Sequence, residues 1–301
     1  MSLPIAHLAG AFGPLQLVPV LVVALAYARR ARTLARRGKP VPGWRQLCFA
    51  GGIALVVVAL VSPLSHVGEE LLVVHMAQHL VMGDLAALAI VLGLTGPLLQ
   101  PLLAAPGLGW LRILFHPLVA LPLWTADLYL WHVPALYQAG LSSAPVHALE
   151  HACFLGFGVV MWMALLGPLP KPVWFGNAAR LLYVVVVRLG GAVLANVLIW
   201  SGSPIYPDYA SGEAFWHVSP LADQGAAGTA MMIEQGLVTL GLFAWIFFRA
   251  AREGEERQRL LDLAARRGIA LDEGRAARAV AAGQGERLEE RLLAAGRDPG
   301  A

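Results

Sequence analysis

The chain has 301 residues, of which 58% are hydrophobic and only 14% charged, with a mean hydropathy of +0.65. That balance excludes an ordinary water-facing globule. The net charge of +3 sits in short basic loops beside apolar stretches, which is the pattern of lipid topology and excludes nucleic acid as a partner.

Crossing roughly 30 Å of hydrocarbon takes about 20 apolar residues. The sequence predicts an all-α polytopic membrane protein with seven transmembrane helices near 14–28, 44–62, 71–98, 112–131, 147–167, 179–200 and 228–249. The first is short, and the third is long enough to tilt or to end in an interfacial turn. Pro63, Pro97, Pro134, Pro145, Pro168 and Pro204 mark edges, where a helix stops or starts. No basic n-region precedes the first span, so it is expected to remain as a helix rather than be cleaved. Cys48 and Cys153 lie in different predicted helices and form no Cys-x-x-Cys pair.

Arg29, Arg30, Arg32, Arg36, Arg37, Lys39 and Arg45 fill the first loop, which is therefore expected on the cytoplasmic side. Seven crossings then bring Arg112, Lys171, Arg180, Arg249 and Arg252 to the same side. The segments 63–70, 132–146 and 201–227, like the N-terminus, contain no Lys or Arg. The expected orientation is N-out, C-in. Residues 1–250 form the membrane domain, and 251–301 a charged helical cytoplasmic tail broken at Gly268 and Gly283. Leu292 and Leu293 beside Glu289, Glu290 and Arg291 give that tail an amphipathic stretch. It reads as a solvated, partly disordered appendage, with a partner-docking helix as the sharper alternative.

The outer side collects histidines. His75 and His79 lie four apart on the third span, and His147 and His151 four apart on the fifth, a spacing that puts each pair on one helical face about 6 Å apart in height. His132 ends the fourth span, His66 and His217 fall in outer loops, and His7 precedes the first span, whereas His116 stands on the inner side. Two spaced pairs at matched depth point to a metal site, because polar groups in a bilayer are costly and functional by default. His75, His79, His132, His147 and His151 are the candidate ligands. Imidazole suits copper, zinc, nickel and iron, and thioether favours Cu(I). Met76 and Met231 are therefore accessory candidates and copper the preferred ion. Haem with one axial His from each pair is an alternative. So is zinc: His147-Ala-Leu-Glu150-His151 spells His-x-x-Glu-His, the order in which two His bind zinc and Glu acts as base. Glu150 could equally orient a histidine, as could Asp127, one turn from the end of the fourth span.

Asp84 lies about 20 Å into the third span and Arg188 about 13 Å into the sixth from the other side. Across a core about 30 Å thick these depths nearly coincide, which predicts a buried Asp84–Arg188 ion pair.

Four segments recur in order: His75-Met-Ala-Gln-His79, Leu130-Trp131-His132-Val-Pro134-Ala-Leu-Tyr137, Val146-His147-Ala-Leu-Glu150-His151 and Ser219-Pro220-Leu221-Ala-Asp223-Gln224. On them the chain resembles the CtaG-type cytochrome c oxidase assembly factors associated with caa-type oxidases. The resemblance implies a non-enzymatic role in the bacterial plasma membrane, assisting copper delivery or insertion at the Cu(B) centre. It implies as partners oxidase subunit I, other oxidase assembly proteins and membrane lipid. It carries over His75, His79, His132, His147 and His151 as functional residues, with Trp131, Pro134 and Tyr137 as framework.

Overall fold

The structure, a computed structural model, describes residues 6–295 and is built from helices, with no strand among the described residues. The helices are α1 (Ala6–Arg36), α2 (Gly43–Val61), α3 (Pro63–Gly68) and α4 (Leu72–Leu80), followed by a π-helical stretch (Val81–Ala86). Next come α5 (Ala87–Gly93), α6 (Gly96–Ala104), α7 (Leu111–Leu114), α8 (Pro117–Trp131), α9 (Pro134–Ser142) and α10 (Ala144–Leu166). The series ends with α11 (Asn177–Trp200), a 3-10 turn (Pro207–Tyr209), α12 (Ala210–Phe215), α13 (Pro220–Arg266), α14 (Glu273–Ala281) and α15 (Gly285–Ala295). Two compact units result, Met1–Leu237 and Val238–Ala301.

Among the described residues, five helical stretches are long and apolar enough to cross a membrane: Gly43–Val61, Leu72–Gly93, Ala144–Leu166, Asn177–Trp200 and Pro220–Arg266. On α11, Leu182, Val186, Leu189, Val193 and Val197 are exposed at helical spacing. A stripe of that kind belongs against lipid. The expected span 112–131 falls on α7 and the 15-residue α8 and is not among these stretches; α8 alone reaches about 22 Å at helical rise. His116 starts α8 by accepting the amide of Leu118, 3.3 Å away. Pro63, Pro97, Pro134 and Pro145 stand in the first turns of α3, α6, α9 and α10, where a missing N–H costs nothing. The segments 132–146 and 201–227 are not plain loops. They contain α9, α12 and the 3-10 turn, which roof the ends of the longer helices.

Within the first unit, α2 lies against the run α4–α5. Phe49, Val56, Ala59 and Leu60 meet Met82, Ala86 and Ile90 in one core. Their approach is close: a Cβ at Gly52 would stand 2.8 Å from the Ile90 nitrogen, and one at Gly93 2.8 Å from the Arg45 carbonyl. Arg45 donates to the carbonyls of Leu92 (2.9 Å) and Leu94 (2.7 Å), a cation placed where the end of α5 is electronegative. The expected span 71–98 thus stops at Gly93 and restarts as α6.

The second unit is ordered as a small helical cluster rather than a loose tail. Leu260, Ala264, Val280, Leu288 and Leu292 form its core. Gly268 and Gly283 adopt φ +65°, the left-handed caps that let the chain turn between helices. Asp272 begins α14 by accepting the Arg275 amide at 2.9 Å. Arg257–Glu273 (3.3 Å) and Arg259–Glu289 (2.9 Å) lie on its surface.

Candidate metal centre

The i, i+4 spacing on α4 puts the His75 and His79 rings 4.3 Å apart, and that on α10 puts His147 and His151 4.1 Å apart. The two helices face each other through these pairs. His75 stacks on His147 at 5.3 Å, and His79 meets His151 edge-on at 5.4 Å. Four residues, His75, His79, His147 and Glu150, each offer a ligand atom within 4.8 Å of the others. Ligand atoms about 2.1 Å from a tetrahedral ion stand about 3.4 Å apart, so sub-ångström ring movements would close this set on an ion.

The donors are ready. Both ring nitrogens of His75 and of His79, and Nε2 of His147 and His151, are buried without a hydrogen-bond partner, as is Oε1 of Glu150. Such groups are costly unless something completes them. His75, His79 and Glu150 are at most 5% exposed. Glu150 Oε1 is 3.8 Å from His79 Nε2, which makes it a member of the ligand group rather than a distant base. Its approach depends on Gly140 of α9, where a Cβ would stand 2.7 Å from Glu150 Oε2.

The other candidates are placed around this group. His151 pairs through Nδ1 with the side chain of Gln16 at 3.2 Å. His132, at the end of α8, sits outside the four-ligand set, its ring 6.4 Å from Tyr137 and 6.0 Å from Phe154. Its Nδ1 lies 2.7 Å from the Leu128 carbonyl. Asp127 is buried, and its carboxylate accepts from the Trp131 indole rather than orienting an imidazole. Met76 and Met231, 2% and 3% exposed, line a cavity of about 60 Å3 together with His79, His132 and the Asp84–Arg188 pair. His66 and His217 are exposed in their connecting segments, and the side chain of His7 lies outside the described residues.

The expected ion pair is present. Arg188 approaches Asp84 with two nitrogens, at 2.5 and 3.4 Å, and lies 3.8 Å from Glu234. Asp84 stands in the π-helical stretch, whose extra residue per turn is a common device at functional sites. A Cβ on Gly158 of α10 would collide with the Gly83 carbonyl at 1.9 Å, so α10 packs on this turn backbone to backbone.

Tyr137 was expected as framework, and the structure shows what it joins. Tyr137 and Tyr209 share a 2.7 Å hydrogen bond, Tyr206 stacks on Tyr137 at 4.0 Å and donates to the His132 carbonyl at 2.8 Å. The Tyr137 ring lies 5.2 Å from His75. Gln224 meanwhile takes the Ile205 amide (2.7 Å) and gives to the Leu198 carbonyl (3.1 Å), holding the segment that carries Tyr206. Gln224 stood in the sequence only as the end of the segment 219–224, with no partner assigned to it.

Among curated proteins, the chain is similar to two uncharacterized proteins, one from Mycobacterium bovis and one from Mycobacterium tuberculosis. Each is 26% identical over 227 residues, covering 69% of this chain and 34% of the relative. The chain therefore spans about a third of the length of those relatives. No solved structure matches it. Residues 25–253, which include every member of the histidine cluster, match the model of the cytochrome c oxidase caa3 assembly factor family (Caa3_CtaG), and the chain belongs to that family.

Proposed function

We propose that this assembly factor takes up copper as cargo at the His75/His79/His147/Glu150 group and passes it to an oxidase subunit at the Cu(B) centre. The observation that carries the reading is the convergence of four donors from two helices within 4.8 Å, with buried ring nitrogens that no protein group satisfies. Three imidazoles and one carboxylate suit a borderline transition-metal ion. In this reading the protein crosses the plasma membrane of a bacterium seven times, with α1 and α7–α8 supplying the two crossings beyond the five long apolar stretches. The Lys- and Arg-free segments face outward, and the histidine group lies near the outer surface. From there an ion passes sideways to a membrane-embedded partner, subunit I of the oxidase.

Packing favours a bare ion over haem. Rings of facing helices stand 5.3 and 5.4 Å apart by centroid, which leaves no slot for a macrocycle between them. A zinc hydrolase is disfavoured for a different reason: Glu150 stands among the ligands and His151 at the edge of the set.

The test is His75→Ala with His147→Ala in cells that make the oxidase. The expected result is oxidase protein at normal level with sharply reduced copper content. Unchanged oxidase copper in cells holding normal levels of the double variant would sink the reading.

A further inference from the structure

We propose that the cavity beneath the histidine group is a second, soft cation subsite, in which Met76, Met231, His79 and His132 hold a monovalent ion of the Cu(I) class. The inference deepens the proposed function and rests on it only through His79, which belongs to the four-ligand group and also lines the cavity.

His132 carries the first argument. A carbonyl oxygen only accepts, so the 2.7 Å contact between His132 Nδ1 and Leu128 O puts the proton on Nδ1. Nε2 then bears a lone pair, and it is buried with no partner. An imidazole that spends one nitrogen on a backbone carbonyl and leaves the other bare is the usual arrangement of a metal-ligating histidine.

The second argument is donor softness. Two methionines from separate helices, α4 and α13, are almost wholly buried and open onto the same small space. Alone, either would be core filler. Paired with two unsatisfied imidazoles they make a set that ranks Cu(I) above harder ions, because thioether binds soft monovalent metal and adds little for Zn(II) or Mg(II). At about 60 Å3 the cavity has room for one ion with a few waters beside it.

The third argument is charge. On the cavity wall one guanidinium, Arg188, serves two carboxylates, Asp84 at 2.5 Å and Glu234 at 3.8 Å. Both Glu234 oxygens are buried without a hydrogen bond. Arg188 and Asp84 neutralise each other, so the wall sets no uncompensated positive charge against a monovalent cation. The outer group, with harder donors, and the inner one, with softer donors, would then form two stations joined by a common ligand.

The test uses the full-length chain in lipid nanodiscs, titrated separately with Zn(II) and with Cu(I) under reductant, with X-ray absorption at the copper edge. The inference expects sulfur as well as nitrogen scattering from bound Cu(I). In Met76→Leu with Met231→Leu, a volume-conserving change, the sulfur scattering disappears and Cu(I) affinity falls by about tenfold or more. Zn(II) binding at the outer group stays at the wild-type level. Wild-type protein that binds Zn(II) but gives Cu(I) without sulfur scattering overturns the inner subsite and leaves the proposed function standing. Wild-type protein that binds neither ion overturns both.

Discussion

Asp223 caps α4 from 151 positions away: its carboxylate accepts the amide of Leu72 at 2.6 Å and that of Val73 at 3.0 Å. Leu71, the residue before α4, offers no capping side chain of its own, so the histidine-bearing helix is fixed at its start by α13. An N-cap of this kind is worth about 1 kcal/mol, and up to about 2 kcal/mol. Asp223→Ala is expected to lower the unfolding free energy by that amount. It should also weaken Zn(II) binding at the outer group by about tenfold, as the loss of a group that orients ligands does. Calorimetric titration checks this, and an unchanged affinity would show that α4 is positioned by its packing alone.

Gly140 and Glu150 give a contrasting case. The Cβ of Gly140→Ala would sit 2.7 Å from Glu150 Oε2, and the carboxylate, being the end of a flexible side chain, is what moves. Alanine also favours the helical state by about 1 kcal/mol over glycine. The variant is therefore expected to be as stable as the parent or slightly more so, yet to bind Zn(II) more weakly. A thermal melt paired with a titration separates the two effects. A fall in both together would mean that α9, not the carboxylate, had given way.

The membrane character, the long helices and the two histidine pairs were legible because each rests on local periodicity: apolar runs for the spans, and i, i+4 spacing for His75/His79 and His147/His151. The Asp84–Arg188 pair was legible from depth alone, since both charges had to find a partner at one level. What the sequence could not show was set by distant segments. Nothing near Leu72 announces that Asp223 caps it. Nothing in Val81–Ala86 betrays a π-helical turn, which arises where Gly83 and Gly158 let α10 press on the backbone. The histidines were read as one candidate set, but the bend after α8 ties His132 to Leu128 and leaves it beside the cavity instead of in the four-ligand group. Likewise α9 was hidden because Pro134 reads as a boundary and the following apolar stretch is too short to stand out.

Lys171, in the connection between α10 and α11, supplies a pH test away from the spans. Its ammonium donates to the Met163 carbonyl, and burial, with the nearby Arg180 charge, depresses its pKa from 10.5 to about 8. The folded state therefore releases this proton more readily than the unfolded state. Below about pH 8 both forms hold it; between about 8 and 10.5 the unfolded chain binds more protons, so stability should rise with pH across that window. Lys171→Met is expected to flatten the rise. Unfolding midpoints in detergent at pH 7.5 and about 9.5 would decide it, and a wild type that loses stability over this range while Lys171→Met does not would reverse the assignment.

The buried pair of Asp84 and Arg188 makes the sharpest energetic prediction. Arg188→Met leaves the Asp84 carboxylate and Glu234 without their shared cation, and breaking a buried pair from one side costs about 3–5 kcal/mol. Asp84→Leu leaves Arg188 with Glu234 at 3.8 Å, a poorer partner but a partner, so its cost should be smaller. The double variant removes both charges and should be more stable than Arg188→Met alone, because apolar groups of similar volume replace an ion pair at little net loss. A double-mutant cycle by thermal unfolding measures the coupling. The same proteins address function: Zn(II) affinity at the outer group should survive in the double variant if the pair only ties α11 to the π-helical turn. Cu(I) affinity should survive as well, since none of Met76, Met231, His79 and His132 is changed. A double variant less stable than both singles would mean that the ion pair, and not the packing around it, holds the two helices in register.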